Sequence, residues 1–242
     1  MPRTVKEEEN AQKRAEILDA AQGLIFAKGY EEMSIQDILT ELNISKGAFY
    51  HYYDSKPSLL EAVLDRIIGQ VARLVTPIVQ DPHERALTKM QRFFDTVSQW
   101  KTARKDFLLG LTRAWYSDKN ALVRQKIMAR LMHAGTPWMT ALVRQGIAEG
   151  DFDTPYPDQI GSVTFGLVQS LGDVLAGWAL APNQDIAESR KVVAALRAYN
   201  DAICRLLGTR PDALIIMRPE VLKVWFGEEA LVEAAGETEE TR

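Results

Sequence analysis

Side chains that can hydrogen-bond a nucleic acid are concentrated in a short stretch near the N-terminus. Lys46, Tyr50 and His51 bring an ammonium, a phenol and an imidazole within six consecutive positions, and Lys56 follows closely. Donors of this kind suit phosphate oxygens and the edges of bases. Gly47 has no side chain and would let the backbone approach a base closely. These residue types favour contact with nucleic acid if the local structure presents them on one surface.

Two very short helices are predicted to carry these side chains. Ser34 is suited to begin the first, because its hydroxyl can accept a backbone hydrogen bond while Asp37, three residues on, bonds back. Asn43 tolerates the left-handed turn that ends this helix, and Ser45 can begin the second. The first helix has an apolar face comprising Ile35, Ile38, Leu39 and Leu42. Two helices joined by so tight a turn form a helix-turn-helix, whose second helix enters the DNA major groove.

The aromatic residues of the second helix are divided between interior and surface. Phe49, Tyr52 and Tyr53 are interpreted as the core of this small domain. Tyr50 is interpreted as a DNA contact together with Lys46. Lys56 begins the next helix, where its charge and the free backbone N–H groups can act on one phosphate.

No arrangement in the sequence predicts catalysis or a metal site. The three histidines, His51, His83 and His133, show no metal-ligand spacing. Cys204 is the only cysteine, which excludes a disulfide within the chain and a cysteine-based zinc site. The sequence also has no glycine-rich phosphate loop and no nucleophile elbow. We therefore expect no catalytic residue, no metal and no cofactor, and we do not expect an enzyme.

The composition is that of an ordinary globular protein, with 46% hydrophobic and 26% charged residues among 242. The N-terminus is charged, and no apolar run is expected to reach the roughly 18 residues of a membrane span. The net charge of −4 argues against unspecific polyanion binding, although a focused contact surface is compatible with it. The expectation is a cytoplasmic protein without membrane contact, in a compartment that keeps Cys204 reduced.

The stretch ILDAAQGLIFAKGY, continued by SIQDILTELNISKGAFYHYYDSKPSLLEAVLD, resembles the N-terminal DNA-binding domain of the TetR family of bacterial transcription regulators. The resemblance spans residues 10 to 65 of the sequence. It implies an all-α fold in which a three-helix helix-turn-helix domain precedes a larger helical domain that dimerises and usually binds a small effector. By position in the motif, it places the DNA-facing set on Ser34, Gln36, Ser45, Lys46, Gly47, Ala48, Tyr50, His51 and Lys56.

The sequence departs from the family pattern in two respects. Ile25 and Phe26 stand where the family more often has its aromatic residue one position earlier, and Tyr53 replaces a common phenylalanine; we interpret both differences as changes within the core. Residues 1–56 carry seven Lys or Arg and ten Asp or Glu, a net charge of −3. Affinity for DNA must then depend on a few well-placed contacts and on dimerisation.

The domain organisation follows from the helical pattern and the resemblance. Residues 1–56 are assigned to the helix-turn-helix domain, 57–227 to a helical effector-binding and dimerisation domain, and 228–242 to an acidic, flexible tail. The strongly apolar helices predicted at 158–180 and 188–207 favour a four-helix bundle between two subunits, although packing within one subunit stays open. The predicted dimer interface comprises Val192, Leu196, Tyr199 and Ile203.

Bulky side chains in the second domain predict a largely apolar ligand pocket between helices, although such residues also serve as plain core. Three polar residues among them are expected to meet an effector, and two of these, Gln169 and Asp173, lie four positions apart on one helix face. The candidate pocket set comprises Trp100, Phe107, Trp115, Met132, His133, Trp138, Phe165, Gln169 and Asp173.

These features lead to the hypothesis of a homodimeric repressor that binds double-stranded operator DNA and is released by a small, largely apolar effector. Two alternatives stay open. One is a TetR-like regulator without a small-molecule ligand, or controlled by a partner protein. The other is a helical small-molecule binder or enzyme that has lost DNA binding. The apolar segment after Gly208 has no predicted role.

Overall fold

The computed structural model describes residues 5–181 and 186–227, and these are almost entirely α-helical. The all-α prediction is confirmed. The tail predicted at 228–242 lies outside the described residues. In chain order the helices are α1 (Val5–Glu32), α2 (Ile35–Leu42), α3 (Lys46–Tyr52), α4 (Lys56–Gln80), α5 (Ala86–Thr102), α6 (Lys105–Tyr116), α7 (Ala121–Glu149), α8 (Pro157–Ala179), α9 (Ile186–Leu206) and α10 (Pro219–Phe226), with a 3₁₀ turn at Asp118–Asn120.

The helices form two compact units. As far as the structure describes them, the first comprises Met1–Gly69 with Asp106–Met128, and the second comprises Gln70–Lys105 with Ala129–Arg242. Helices α4 and α7 contribute residues to both units. The domain boundary expected after residue 56 falls in the first turn of α4, and this turn packs with the first unit.

The first unit has a core of aliphatic and aromatic side chains. Ile17 and Ile25 of α1 are buried in it, and Phe49 of α3 is completely buried. Phe26 is 62% exposed, so only one member of the pair that we assigned to the core lies there. The helical geometry of α1 breaks at Gly29, whose φ of 81° is readily adopted only by glycine.

In the second unit, α7 and α8 approach each other closely at glycines. A side chain at Gly135 of α7 would overlap the ring of Phe165, and a side chain at Gly161 of α8 would overlap Thr140. Helix α8 also packs along α9. The Phe165 ring thus fills the space left by the absent side chain of Gly135, as the close packing of a protein interior requires.

Helix α8 is long and apolar enough to cross a membrane, by length and composition alone. The expectation that no stretch of the sequence reaches this length was therefore wrong, although core helices of soluble proteins have the same property. One side of α8 is buried at Ile160 and Leu171. On an adjoining face of the helix, Val163 is 45% and Val174 is 41% exposed. The helix therefore carries apolar surface both inside and outside the subunit.

The segment Gly208–Gly227, which we call the C-terminal strap, is fixed to α5 by polar contacts. The Gln91 side-chain amide accepts a hydrogen bond from the Ile215 N–H at 2.8 Å and donates one to the Ile215 carbonyl at 3.0 Å. The Arg218 guanidinium donates two hydrogen bonds of 2.7 Å to Asp95. Four apolar residues of the strap are buried in the core of the second unit: Leu214, Ile216, Leu222 and Phe226.

Candidate nucleic-acid interface

The N-terminus of α2 carries a complete capping box. The Ser34 hydroxyl accepts a hydrogen bond from the Asp37 N–H at 3.2 Å, and the Asp37 carboxylate accepts one from the Ser34 N–H at 2.7 Å. The Lys28 ammonium pairs with the same carboxylate at 2.7 Å. The hydrogen bond from Lys28, followed by those from Ser34, lowers the pKa of Asp37 to about 2. The negative charge of Asp37, which neighbours the exposed Gln36, is thus neutralised by the ammonium of Lys28.

The turn between α2 and α3 is fixed by backbone hydrogen bonds and a second cap. Asn43 adopts the left-handed conformation with φ 49° and ψ 48°, and its N–H donates to the carbonyls of Leu39 and Thr40. The Ser45 hydroxyl then accepts a hydrogen bond from the Ala48 N–H at 3.1 Å and begins α3. Both predicted caps and the predicted left-handed turn are confirmed. They set the direction in which α3 leaves α2.

The inner side of α3 is locked by aromatic residues. The Phe49 ring lies 6.0 Å from the ring of Tyr53, which is also buried. The Tyr53 hydroxyl donates to the Arg14 carbonyl at 3.4 Å, and the Tyr52 hydroxyl donates to the Asn10 side chain at 3.2 Å. Burial raises the pKa of Tyr53, so this phenol stays protonated as a donor. Helix α1 therefore supports α3 from behind.

The outer side of α3 presents hydrogen-bonding groups to solvent. Lys46 and His51 are exposed, and Tyr50 is 40% exposed. The Lys46 ammonium lies 5.9 Å from the centroid of the Tyr50 ring, so these two side chains share one surface of the helix. Gly47 is exposed, and a Cβ there would meet only the Ser45 hydroxyl at 3.9 Å. Packing inside the protein gives no reason for a glycine at this position.

Lys56 is partly buried at the first residue of α4. Its ammonium donates to the Glu31 carbonyl at 3.1 Å and lies 4.4 Å from the centroid of the Tyr30 ring. Partial burial lowers the pKa of Lys56, while the Glu31 carboxylate acts in the opposite direction. Burial also raises the pKa of Tyr30, to about 12. Lys56 therefore joins the end of α1 to the start of α4, in addition to any contact with DNA.

The structure brings the nine predicted DNA-facing residues together in the first unit, on α2, on α3 and at the start of α4. All are exposed except Ala48 and Lys56, which are partly buried. Sequence reasoning missed the supporting groups Asn10 and Arg14. Their partners lie 42 and 39 residues away, so no short-range pattern could have identified them.

The predicted effector-pocket residues are distributed over both units of the chain. Phe107 and Trp115 belong to the first unit, whereas the other seven belong to the second. His133 and Asp173 are exposed, and Phe165 is core packed against α7. Trp138 is partly buried, with its ring 6.2 Å from Phe93.

A cleft of about 380 Å³ lies elsewhere in the second unit, between α9 and the C-terminal strap. Val193, Leu196 and Ile216 contribute to its apolar walls, and Arg197 and Asp201 are among its polar groups. None of the nine predicted pocket residues lines this cleft.

The predicted dimer seam faces inward. Val192, Leu196 and Ile203 are buried in the core of their own subunit. Tyr199 is partly buried, and its hydroxyl lies 2.7 Å from the Ser170 hydroxyl of α8. These three side chains are thus already buried within one subunit, which leaves them little surface to bury against a second subunit. Within the described residues, no group of three or more His, Cys, Asp or Glu side chains could hold a metal ion.

Comparison with known proteins identifies the helix-turn-helix. Residues 17–63 match the family described as bacterial regulatory proteins, tetR family. An uncharacterized HTH-type transcriptional regulator from the lacX 3' region of Lactococcus lactis is 48% identical over 52 residues, which cover 22% of this chain and 26% of that protein. The HTH-type transcriptional regulator EthR of Mycolicibacterium smegmatis is 28% identical over 128 residues, covering 46% of this chain and 59% of EthR. The chain thus spans less than two thirds of these two relatives.

The likeness to a solved structure extends further along the chain. A TetR-family transcriptional regulator from Pectobacterium atrosepticum superposes with a TM-score of 0.61 and 19% identity, covering 86% of this chain and 100% of the other. At this identity the likeness shows the fold. With the capped helix-turn-helix, the match over residues 17–63 shows that this part of the chain belongs to the TetR family of helix-turn-helix transcriptional regulators, and the chain has the fold of a TetR-family regulator.

Proposed function

We propose that this regulator is a cytoplasmic homodimeric repressor, which binds double-stranded operator DNA through α2 and α3 and is released by a small, largely apolar effector. The observation that carries the DNA-binding part is the outer surface of α3. There Lys46, Tyr50 and His51 are presented by a helix whose inner side is fixed by Phe49 and Tyr53. A rigid support of this kind keeps the donors in register with the major groove.

The DNA-facing residues divide into two kinds of contact. Lys46 at the start of α3 suits a base edge or a phosphate, and Gly47 and Ala48 let the backbone come close. Tyr50 and His51 suit phosphate oxygens, and contacts of this kind fix the register of the helix on the DNA. The hydroxyls of Ser34 and Ser45 already serve as caps. Any contact that these two serines make to DNA must therefore be compatible with capping.

The dimer is proposed to use the outward face of α8. Val163 and Val174 leave apolar surface there, and a Cβ at Gly166 or Gly177 would meet no atom within 4 Å. A second helix can approach closely over such a surface, and its burial would supply the hydrophobic stabilisation. Dimerisation would place two recognition helices on half-sites roughly 34 Å apart. Light scattering tests this step, and a monomer at micromolar concentration would contradict it.

The effector is proposed to act through the second unit by binding one of two conformations better than the other. The support is the cleft between α9 and the C-terminal strap, with apolar walls that include Val193, Leu196 and Ile216, and the fact that α4 contributes residues to both units. Operator DNA must then weaken effector binding by the same factor by which effector weakens DNA binding.

Lys46→Ala tests the DNA-binding surface in a salt-dependent mobility-shift assay with the promoter next to this gene. We expect a loss of about 1–3 kcal/mol in binding free energy if Lys46 contacts a base, with folding nearly unchanged. Lys126→Ala removes the same charge from an exposed position of α7, where Lys126 pairs with Glu61 at the surface, and serves as the control. Gly47→Ala should leave the fold intact, since space is open there, yet weaken binding by crowding the DNA. Wild-type affinity in both α3 variants would rule out this surface.

A further inference from the structure

The indole of Trp178, near the end of α8, lies beneath the C-terminal strap. Its ring is 8% exposed and meets the Phe226 ring edge-on, with centroids 4.6 Å apart. Within the described part of the chain, the Trp178 Nε1–H has no hydrogen-bond partner. Trp225, by contrast, donates its own Nε1–H to the Thr102 hydroxyl at 2.9 Å.

A buried donor without an acceptor is unusual and calls for a physical explanation. In the unfolded chain an indole N–H bonds to water, and folding normally replaces that bond with another. Here the Phe226 ring packs against the indole, and a phenyl ring carries no oxygen or nitrogen acceptor. An acceptor brought by a bound molecule would satisfy this donor.

The contacts of the strap make Phe226 a cover for this indole. Helix α10 packs on α5 and is fastened at its start by Arg218 to Asp95 and near its end by the Lys105 ammonium to the Val224 carbonyl. These polar contacts lie at exposed positions, around the buried Phe226. They can therefore break and reform in water, whereas the aromatic contact beneath them is shielded from solvent.

We propose that the Trp178 Nε1–H is the hydrogen-bond donor of a small-molecule site on α8, and that Phe226 fills this site when no ligand is bound. The ligand is an uncharged aromatic compound with a carbonyl oxygen. Its ring takes the place of the Phe226 ring, and its oxygen accepts from Trp178. A charged group is excluded, because burial among apolar side chains without a partner is costly. The role of this ligand as an effector rests on the proposed function, whereas the site itself does not.

The test uses two probes of nearly the same shape, acetophenone and α-methylstyrene, which differ by a carbonyl oxygen in place of a methylene. Each is titrated into the full chain labelled with ¹⁵N at tryptophan, and the indole N–H signals are followed by NMR. Trp178→Phe, which keeps a ring but removes the donor, identifies the Trp178 signal. Phe226→Ala removes the cover. Phe152→Ala, which removes a buried ring packed against Gly146 of α7, is the matched control.

In Phe226→Ala we expect acetophenone to bind at least tenfold more tightly than α-methylstyrene and to shift the Trp178 signal. Adding Trp178→Phe should bring the ratio of the two affinities close to one. Wild-type protein should bind acetophenone at least tenfold more weakly than Phe226→Ala, because Phe226 must first leave. Phe152→Ala should bind it no better than wild type. If Phe226→Ala does not fold, Phe226→Leu takes its place, with the same order of affinities.

Three results would overturn the site: equal affinity of the two probes in the uncovered variant, a preference that survives Trp178→Phe, or wild-type affinity equal to that of Phe226→Ala. A mobility-shift assay with the same probe separates this inference from the proposed function. Carbonyl-dependent binding that never changes DNA affinity supports the site and contradicts an effector role for this ligand. Release of DNA by apolar compounds, unaffected by Trp178→Phe, supports the effector and overturns the assignment of Trp178.

Discussion

The helix-turn-helix and the C-terminal strap are both held by side chains that bond to the backbone, but the bonds span very different lengths of chain. The caps Ser34 and Ser45 each reach a backbone N–H three residues away. In the strap, the Gln91 side chain bonds to the Ile215 backbone across 124 residues, and the Lys105 side chain bonds to the Val224 carbonyl across 119. The helix-turn-helix is therefore organised by contacts between residues close in sequence, and the C-terminal strap by its contacts with α5 and the start of α6.

This difference has an energetic side. Closing a short turn costs little conformational entropy, whereas docking the strap requires the second unit to be assembled first. The strap also begins and ends at glycines with positive φ, 64° at Gly208 and 87° at Gly227. We therefore expect the strap to loosen without unfolding the helices that it covers, whereas α3 should not loosen without loss of the core of the first unit.

Truncation of one buried phenylalanine in each region tests this difference and should give the largest changes in the free energy of unfolding. Phe49→Ala removes a fully buried ring from the centre of the first unit, so the free energy of unfolding should fall by about 3–5 kcal/mol. Phe226→Ala, at the end of the strap, should lower the free energy of unfolding by less, near the lower end of that range, because α10 can shift to fill part of the cavity. Urea unfolding monitored by circular dichroism measures both. An equal or larger loss for Phe226 would show that the strap is an integral part of the core.

The same contrast explains what the sequence could and could not predict. The caps, the left-handed Asn43 and the burial of Phe49 and Tyr53 follow from local residue preferences, and all were predicted. The inward orientation of Leu196 was not, because helical spacing shows that a face is apolar but not what covers it. The assignment of Phe26 to the core was wrong for a related reason. Phe26 follows the buried Ile25 directly, so the two side chains leave α1 in different directions, and only tertiary packing decides which of them faces the core.

Smaller changes in stability are expected when the Ser45 cap of α3 and the exposed Arg218–Asp95 ion pair of the strap are removed in turn. Ser45→Ala removes the hydrogen bond from the Ala48 N–H and should lower the free energy of unfolding by about 0.5–2 kcal/mol. The affinity for DNA should fall as well, because the first turn of α3, which meets the groove, would fray. Arg218→Ala removes two hydrogen bonds to Asp95, yet this pair lies at the surface and should contribute less to the free energy of unfolding than the cap does. Thermal unfolding compares the two variants, and a double-mutant cycle with Asp95→Ala isolates the pair. A coupling as large as the loss expected for Ser45→Ala would mean that the ion pair fixes the strap in place.

The smallest effect is a pH dependence confined to the helix-turn-helix. The pKa of Asp37 is lowered to about 2, with the hydrogen bond from Lys28 as the largest cause. Since the folded-state pKa lies below that of an unfolded aspartate, near 3.9, the contribution of Asp37 to stability is present above about pH 4 and is lost as the pH falls toward 2. Lys28→Met should raise the midpoint of the Asp37 carboxyl titration, followed by ¹³C NMR, toward the unfolded value. Asp95, whose pKa is lowered mainly by Arg218 in the strap, should titrate as in wild type and provides the internal control. A midpoint of Asp37 that does not move in Lys28→Met would assign the shift to Ser34, and the first turn of α2 would then be self-sufficient without α1.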